Sequence, residues 1–297
     1  FLGGISKNYN TNFLLNQSRY TVMEADEFDR SFLYLSPLIA VITAIDPDHL
    51  DIYGTAEAMI EAYSDFCSCV QKSGIIILHE NILPSLSLPG GVHVYSYGTG
   101  KNTSFRAADI EKGDGFYMFD LMTPGEPVKN IRLTLPGIVN ILNATAAAAA
   151  AWCAGAKPDE IRNALLTYEG VRRRFDMRFN NKGVVYIDDY AHHPQEINAL
   201  VSAVRDFYPD RHITGIFQPH LFSRTRDFAD GFAGALDRLD EILLLPIYPA
   251  REEPLPGVTS EMIAEKMKNK NVKVVTREEL LPVLEDSGEG ILLTIGA

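Results

Sequence analysis

Cysteine is scarce in this chain: Cys67, Cys69 and Cys153 are the only three among 297 residues. An odd count cannot pair off completely, and the spacing fits no zinc motif. Cys67 and Cys69 lie beside Phe66 and Val70 in an apolar, helix-like stretch, and Cys153 follows a run of alanines. All three read as buried thiols of a reducing compartment, so the expected location is the cytoplasm. No signal peptide is visible. No apolar run reaches the roughly 18 residues that would cross a bilayer. A basic excess is missing too: 27 Lys and Arg stand against 39 Asp and Glu, a net charge of −12. That balance argues against nonspecific binding to nucleic acid or anionic membrane. No G-x-x-x-x-G-K-[ST] loop occurs, so these residues hold no phosphate cradle of that type. The first residue is Phe1 rather than Met, and the last apolar run stops at Gly296-Ala297. The expectation is a fragment whose phosphate loop lies N-terminal to Phe1.

What is present is an ordinary globular composition with enough length for about two domains. A short strand is predicted over 20–25. The apolar run 38–45 reads as a central parallel strand covered on both faces. Thr55 caps a helix over 56–72, and a strand follows at 75–78. From 92 to 135, short strands broken by Gly, Asn, Asp and Pro turns read as antiparallel. A small-sided, apolar helix over 140–154 is expected against the sheet, and another helix starts at Pro158. Gly170 with Arg172-Arg173-Arg174 marks the boundary between domains 1–169 and 170–297. Beyond it strands 183–188, 212–217, 241–246, 272–275 and 290–295 alternate with helices 194–207, 227–238, 259–269 and 277–285. Such alternation indicates a parallel sheet. The fold class is therefore α/β: an α/β domain with a β-rich insertion, followed by a parallel-sheet domain.

Four constellations carry chemistry. Asp188-Asp189-Tyr190-Ala191-His192-His193-Pro194 crowds two carboxylates, a phenol and two imidazoles between a strand's end and a helix's start. Open α/β sheets bind ligands at that place. A companion loop, Gln218-Pro219-His220-Leu221-Phe222-Ser223-Arg224-Thr225-Arg226, follows the next strand. Together the two loops offer a cationic, hydrogen-bonding pocket for a small anion. Glu24 and His49 each follow a predicted strand, and a carboxylate and an imidazole at one sheet edge can hold a divalent metal. Asn140 and Asn143 share a helix face; their amides either cap the helix or match the edge of a purine. The Arg172–Arg174 triplet is either a solvated turn or a grip on phosphate.

Read in order, these segments resemble the Mur ligases, ATP-dependent enzymes that add amino acids to a cell-wall precursor. The resemblance rests on Gly3-Gly4-Ile5, Glu24-Ala25-Asp26-Glu27-Phe28-Asp29-Arg30-Ser31-Phe32, Asp46-Pro47-Asp48-His49-Leu50-Asp51 and Pro136-Gly137 with Asn140 to Ala144. It continues through Arg173-Arg174-Phe175, Asp188 to Pro194, and Phe217 to His220 with Ser223-Arg224-Thr225. Two positions differ from the commoner pattern: Val139, where a His often precedes the first Asn, and Leu221, where a basic residue can follow Gln-Pro-His. The resemblance implies a partial central ATPase-type α/β domain and a Rossmann-like C-terminal domain, a fragment inactive as a ligase alone, with ATP and magnesium as cofactors. It implies UDP-N-acetylmuramate and L-alanine as small-molecule substrates, joined through an acyl phosphate in peptidoglycan synthesis. It assigns Glu24 and His49 to the metal, and Asn140, Asn143, Arg174 and Asp189 to the nucleotide. Tyr190, His192, His220 and Arg224 go to the amino-acid side, with His192, His220 and Arg224 as catalytic candidates. His193 receives no role. The competing readings are a related ligase that adds a whole tripeptide to the same sugar nucleotide, a metal-dependent hydrolase, and a non-catalytic nucleotide- or precursor-binding module.

Overall fold

Two stretches of alternating strand and helix close into separate six-stranded sheets. The computed structural model describes residues 1–15, 17–45, 50–113, 115–181, 183–285 and 288–296, with backbone alone at Leu50, Asp51 and Glu285. By internal contact the chain divides into two units, Phe1–Gly3 with Thr11–Glu169, and Gly4–Asn10 with Gly170–Ala297.

The first unit carries β1 (Ile39–Ile42), α1 (Leu50–Tyr53), α2 (Ala56–Ser68), β2 (Ile75–His79), β3 (His93–Gly98), β4 (Phe105–Gly113), β5 (Phe116–Met122), β6 (Val128–Leu133), α3 (Ile138–Cys153) and α4 (Pro158–Leu166). The sheet runs β1-β2-β3-β4-β5-β6. Side chains alternate between faces along a strand. Ala40 and Ile42 of β1 and Ile76 and Leu78 of β2 accordingly pack with Met59, Phe66 and Cys67 of α2. The Thr55 hydroxyl accepts the Ala58 N–H at 3.2 Å, which starts α2 as its sequence predicts. α3 packs across β1 to β4. Ala144, Ala146, Ala148 and Ala149 are buried there, so the alanine-rich sequence lets backbones approach closely.

Three expectations change in this unit. Residues 20–25 form no strand; their backbone pairs with the first residue instead, Glu24 N–H to the Phe1 carbonyl at 3.1 Å. Only β4, β5 and β6 are antiparallel, because β3 pairs parallel with both β2 and β4. A parallel pair normally needs a long crossover. Here β3 and β4 overlap at only Tyr97–Phe105 and Gly98–Arg106, so a six-residue connection need only step sideways. Of the cysteines, Cys67 alone is fully buried; Cys69 caps the end of α2 and is half-buried like Cys153. All three are free, and burial pushes the Cys67 and Cys153 thiols up to about 11.

The second unit carries β7 (Asp176–Asn180), β8 (Val184–Asp189), α5 (Pro194–Phe207), β9 (Ile213–Phe217), α6 (Phe222–Leu236), β10 (Glu241–Leu244), α7 (Glu261–Lys266), β11 (Val272–Val274), α8 (Arg277–Glu285) and β12 (Gly290–Ile295). Its order is β11-β10-β9-β12-β8-β7. Every pairing is parallel except β7 with β8. β7 is an antiparallel edge strand that the sequence reading omits, and its mostly exposed residues leave no apolar run to find. α6 begins at Phe222, five residues before its predicted start, so Ser223 to Arg226 belong to its first turns rather than to a loop. No helix among the described residues is long and apolar enough to cross a membrane.

Candidate active-site edge of the second sheet

Strand register assembles the site. Ile295 at the end of β12 stands opposite Asp189 of β8 and Phe217 of β9, so three parallel strands end level. Backbone bonds stitch their continuations together: Gly296 N–H to the Asp189 carbonyl at 3.1 Å, and Gln218 N–H to the Ile295 carbonyl at 3.2 Å. Gly296 has φ 138°, and a Cβ there would meet the Gln218 carbonyl at 2.9 Å, so only glycine fits this crossing. The loops bearing Tyr190 and His192, and Gln218 and His220, therefore leave one edge side by side.

Asp189 holds a third loop against them. One carboxylate oxygen accepts the Phe175 N–H at 2.6 Å and the other the Ala191 N–H at 2.8 Å. Burial raises its carboxyl, and these N–H groups with Arg174 only partly reverse the shift. The Tyr190 N–H also reaches the Arg173 carbonyl at 2.8 Å. Arg173 (φ 60°) and Phe175 (φ 42°) are left-handed, a strained turn held by these bonds. The Tyr190 ring lies under the Arg173 guanidinium at 4.8 Å and the Arg174 guanidinium at 5.6 Å, and edge-on to His192 at 5.2 Å. Arg173 also reaches the Gly296 carbonyl at 2.5 Å.

His192 Nδ1 sits 3.0 Å from the Tyr190 carbonyl. A carbonyl only accepts, so Nδ1 carries a proton, and Nε2 is the ring atom left to offer a lone pair. Glu196 Oε2 accepts the backbone N–H of both His192, at 2.8 Å, and His193, at 3.1 Å. His193 is thereby explained: it caps α5, its ring accepting the Gln195 N–H at 3.4 Å, with Glu196 completing a capping box. His193→Ala is expected to cost about 0.5–1 kcal/mol of stability in urea denaturation, the usual size of a lost cap, and to leave substrate affinity unchanged.

His220 follows β9, its ring stacked on Tyr248 at 5.7 Å and 18°. Burial lowers its basicity, and Arg224 and His192 add to this, while Glu252 opposes it. The neutral ring is thereby favoured. Arg224, on the first turn of α6, makes no ion pair among the described residues. Ser223 beside it donates its hydroxyl and, at 2.9 Å, its N–H to Glu252.

The first-unit candidates are less assembled. Glu24 Oε2 accepts the Gly3 N–H at 2.5 Å, leaving Oε1 without a hydrogen bond among the described residues. His49 lies outside the described residues. Among those described, no group of three or more His, Cys, Asp or Glu could hold a metal ion. Magnesium keeps most of its water and takes one or two carboxylates beside substrate phosphates, so one open carboxylate oxygen fits it. Asn140 does not cap α3: Gly137 is the N-cap, and the Asn140 amide donates to the Pro136 carbonyl at 2.6 Å. Asn143 is exposed one turn further on.

Three residues at this edge escape the sequence reading. Glu196 was findable, three residues after His193 in capping-box spacing. Tyr248 and Glu252 were not, because their partners are chosen by which strands end together.

Comparison with known proteins agrees with this architecture. Residues 5–151 match the Mur ligase middle domain, and residues 173–297 match the Mur ligase glutamate ligase domain. The UDP-N-acetylmuramate–L-alanine ligase of Parabacteroides distasonis is 46% identical over 298 residues, covering 100% of this chain and 64% of that protein. That of Flavobacterium johnsoniae is 47% identical, with the same coverage. The chain thus spans somewhat under two thirds of these relatives. The crystal structure of the UDP-N-acetylmuramate–alanine ligase of Thermotoga maritima superposes with a TM-score of 0.80 at 25% identity, over 100% of this chain and 65% of that one. With two Mur ligase domains matched in succession along nearly all of its length, the chain belongs to the Mur ligase family.

Proposed function

We propose that this chain contributes the second and third working parts of a cytoplasmic, ATP-dependent ligase that joins L-alanine to the carboxylate of UDP-N-acetylmuramate in peptidoglycan precursor synthesis. Mur ligases are ATP-dependent. The observation that carries the reading is the level ending of β8, β9 and β12, which gathers Tyr190, His192, His220 and Arg224 at one edge. A guanidinium and a neutral N–H donor suit the carboxylate of an amino acid or the oxygens of an acyl phosphate. The His192 Nε2 lone pair suits removal of a proton from the attacking ammonium. Reaction then proceeds by attack of the free amine on the acyl phosphate and expulsion of phosphate, chemistry that depends on positioning and charge neutralisation.

In this reading residues 1–169 serve nucleotide and metal, and residues 170–297 serve the amino acid. Asn140 and Asn143 face adenine, Asp189 the ribose, and Arg174 the nucleotide phosphates or ribose. Glu24 and His49 are the side chains for magnesium, which would neutralise phosphate charge when bound. Asp189 already spends one lone pair of each oxygen on backbone N–H groups, so a ribose would find it pre-oriented.

The test is an assay of the full-length enzyme with UDP-N-acetylmuramate and ATP, supplying L-alanine or an L-alanyl tripeptide. L-Alanine is expected to have the higher kcat/KM by at least about tenfold. Preference for the tripeptide would transfer the assignment to the recycling ligase, and ATP-independent turnover would remove the ligase reading.

A further inference from the structure

Beyond the residues assigned so far, the segment after β10 closes over the His220 loop. Tyr248 and His220 form a parallel backbone bridge, with Tyr248 N–H to the Pro219 carbonyl at 2.8 Å and Leu221 N–H to the Tyr248 carbonyl at 3.0 Å. Four residues on, Glu252 binds the Ser223 N–H and hydroxyl at the start of α6. The His220 loop is therefore clamped on both sides of Leu221, itself left-handed at φ 71°.

The clamp fixes the ring as well as the backbone. His220 Nδ1 is buried without a hydrogen-bond partner among the described residues. Imidazolium would bury an unsatisfied N–H at that atom, which is costly. The neutral ring carries one N–H, and only at Nε2 can water or a ligand satisfy it. We propose that Tyr248 is a positioning residue for His220: bridged to its backbone and stacked on its ring, it holds the imidazole as an Nε2–H donor toward the anionic group of the substrate. His192 and His220 then have opposite polarity, the first offering a lone pair and the second a proton donor. This division rests on the amino-acid-site reading above.

The charged and titratable groups around His220 are Arg224 on α6, His192 after β8 and Glu252 after β10; Arg224 and His192 disfavour its protonation and the carboxylate favours it. Loss of the Tyr248 ring would admit water to the imidazole and raise its basicity, since burial does more than any neighbouring charge to lower it.

The experiment has two arms. In the first, the ring nitrogens of His220 are followed by 15N NMR against pH in the 297-residue chain, with His220→Gln used for assignment. The expected result is the Nε2–H tautomer and titration below an ordinary histidine. Tyr248→Ala should move that titration up by about half a pH unit or more, and Tyr248→Phe, which keeps the stack, should not. An Nδ1–H tautomer in the unmodified chain overturns the proposal even if Tyr248→Ala fails to fold, and so does an unmoved titration. In the second arm the full-length enzyme carries the same substitutions. Tyr248→Ala should raise KM for L-alanine at least about fivefold and leave KM for ATP unchanged, with Tyr248→Phe restoring it. If the first arm holds while amino-acid kinetics do not move, the amino-acid-site reading fails and the positioning of His220 stands.

Discussion

Replacing His192 with alanine in the full-length enzyme should lower kcat/KM for L-alanine about 10²- to 10⁴-fold, the range associated with a positioned general base. ATP affinity should change by less than about threefold. The asymmetry follows from placement. His192 is held by the Tyr190 carbonyl on one side and by Glu196 through its backbone N–H on the other. Its Nδ1 is thereby committed, and its free atom is Nε2. Glutamine is an informative second variant, since it keeps polar bulk but has no basic nitrogen, so it should recover folding and little of the rate. Initial-rate kinetics with each substrate varied in turn, together with nucleotide binding by calorimetry, would check both halves. Parallel loss of ATP and alanine affinity would remove His192 from the amino-acid side.

Much of this edge was legible because local chemistry determined it. A β-rich run ending in Asp-Asp-Tyr, followed by His-His-Pro, announces strand, loop and helix start, and β8 and α5 lie where that pattern puts them. Apolar runs with turn residues between them likewise place β2, β9, β10 and β12. Elements whose stability comes from elsewhere were harder to read. β7 is half-exposed and exists because β8 offers it an edge. The polar start of α6 resembles a loop until Glu252, 29 residues away from Ser223, satisfies its first N–H groups. Residues 20–25 have strand-like composition, but their backbone partner is Phe1 rather than a neighbouring strand.

The same distinction separates the readable from the unreadable parts of the site. Residue types gave the candidates, because a cluster of imidazole, phenol and guanidinium at a strand end has little value for packing. Residue types could not give polarity. That His192 is an acceptor and His220 a donor depends on a carbonyl two residues back in one case, and on a tyrosine 28 positions ahead in the other. Nor could they show that Asp189 works first as a brace. Its bonds to Phe175 and Ala191 join two loops, and this holds whatever ligand it meets.

The largest stability effect is expected at Asp176, a residue with no assigned chemistry. Its side chain is fully buried. Lys7 Nζ lies 2.8 Å from one carboxylate oxygen, while Arg178 at 3.1 Å and the Arg173 N–H at 3.3 Å reach the other. Lys7 belongs to the strip Gly4–Asn10, which also pairs with the chain near Gly170 through Ser6 and Val171 and through the Lys7 N–H to the Gly170 carbonyl at 3.0 Å. One carboxylate thus ties that strip, the strained Arg173 turn and the start of β7 together. Removing it strands a lysine and an arginine around a buried hole. Breaking a buried pair typically costs about 3–5 kcal/mol; both cations keep some solvent, so Asp176→Ala should cost about 3 kcal/mol. Burial pushes this carboxyl up, but Lys7, the Arg173 N–H and Arg178 outweigh it, and its pKa lies below the ordinary 3.8. A depressed carboxylate pKa means the stabilisation is complete above the unfolded value and disappears as pH falls through the folded one. Urea denaturation of wild type and Asp176→Asn should therefore differ most at neutral pH and begin to converge only as pH falls below about 3.8 toward the folded pKa. Lys7→Met, which leaves Arg178 and the backbone N–H in place, should cost less than either. A wild-type urea midpoint for Asp176→Ala at pH 7 would show that the strip and the turn are held by something other than this charge.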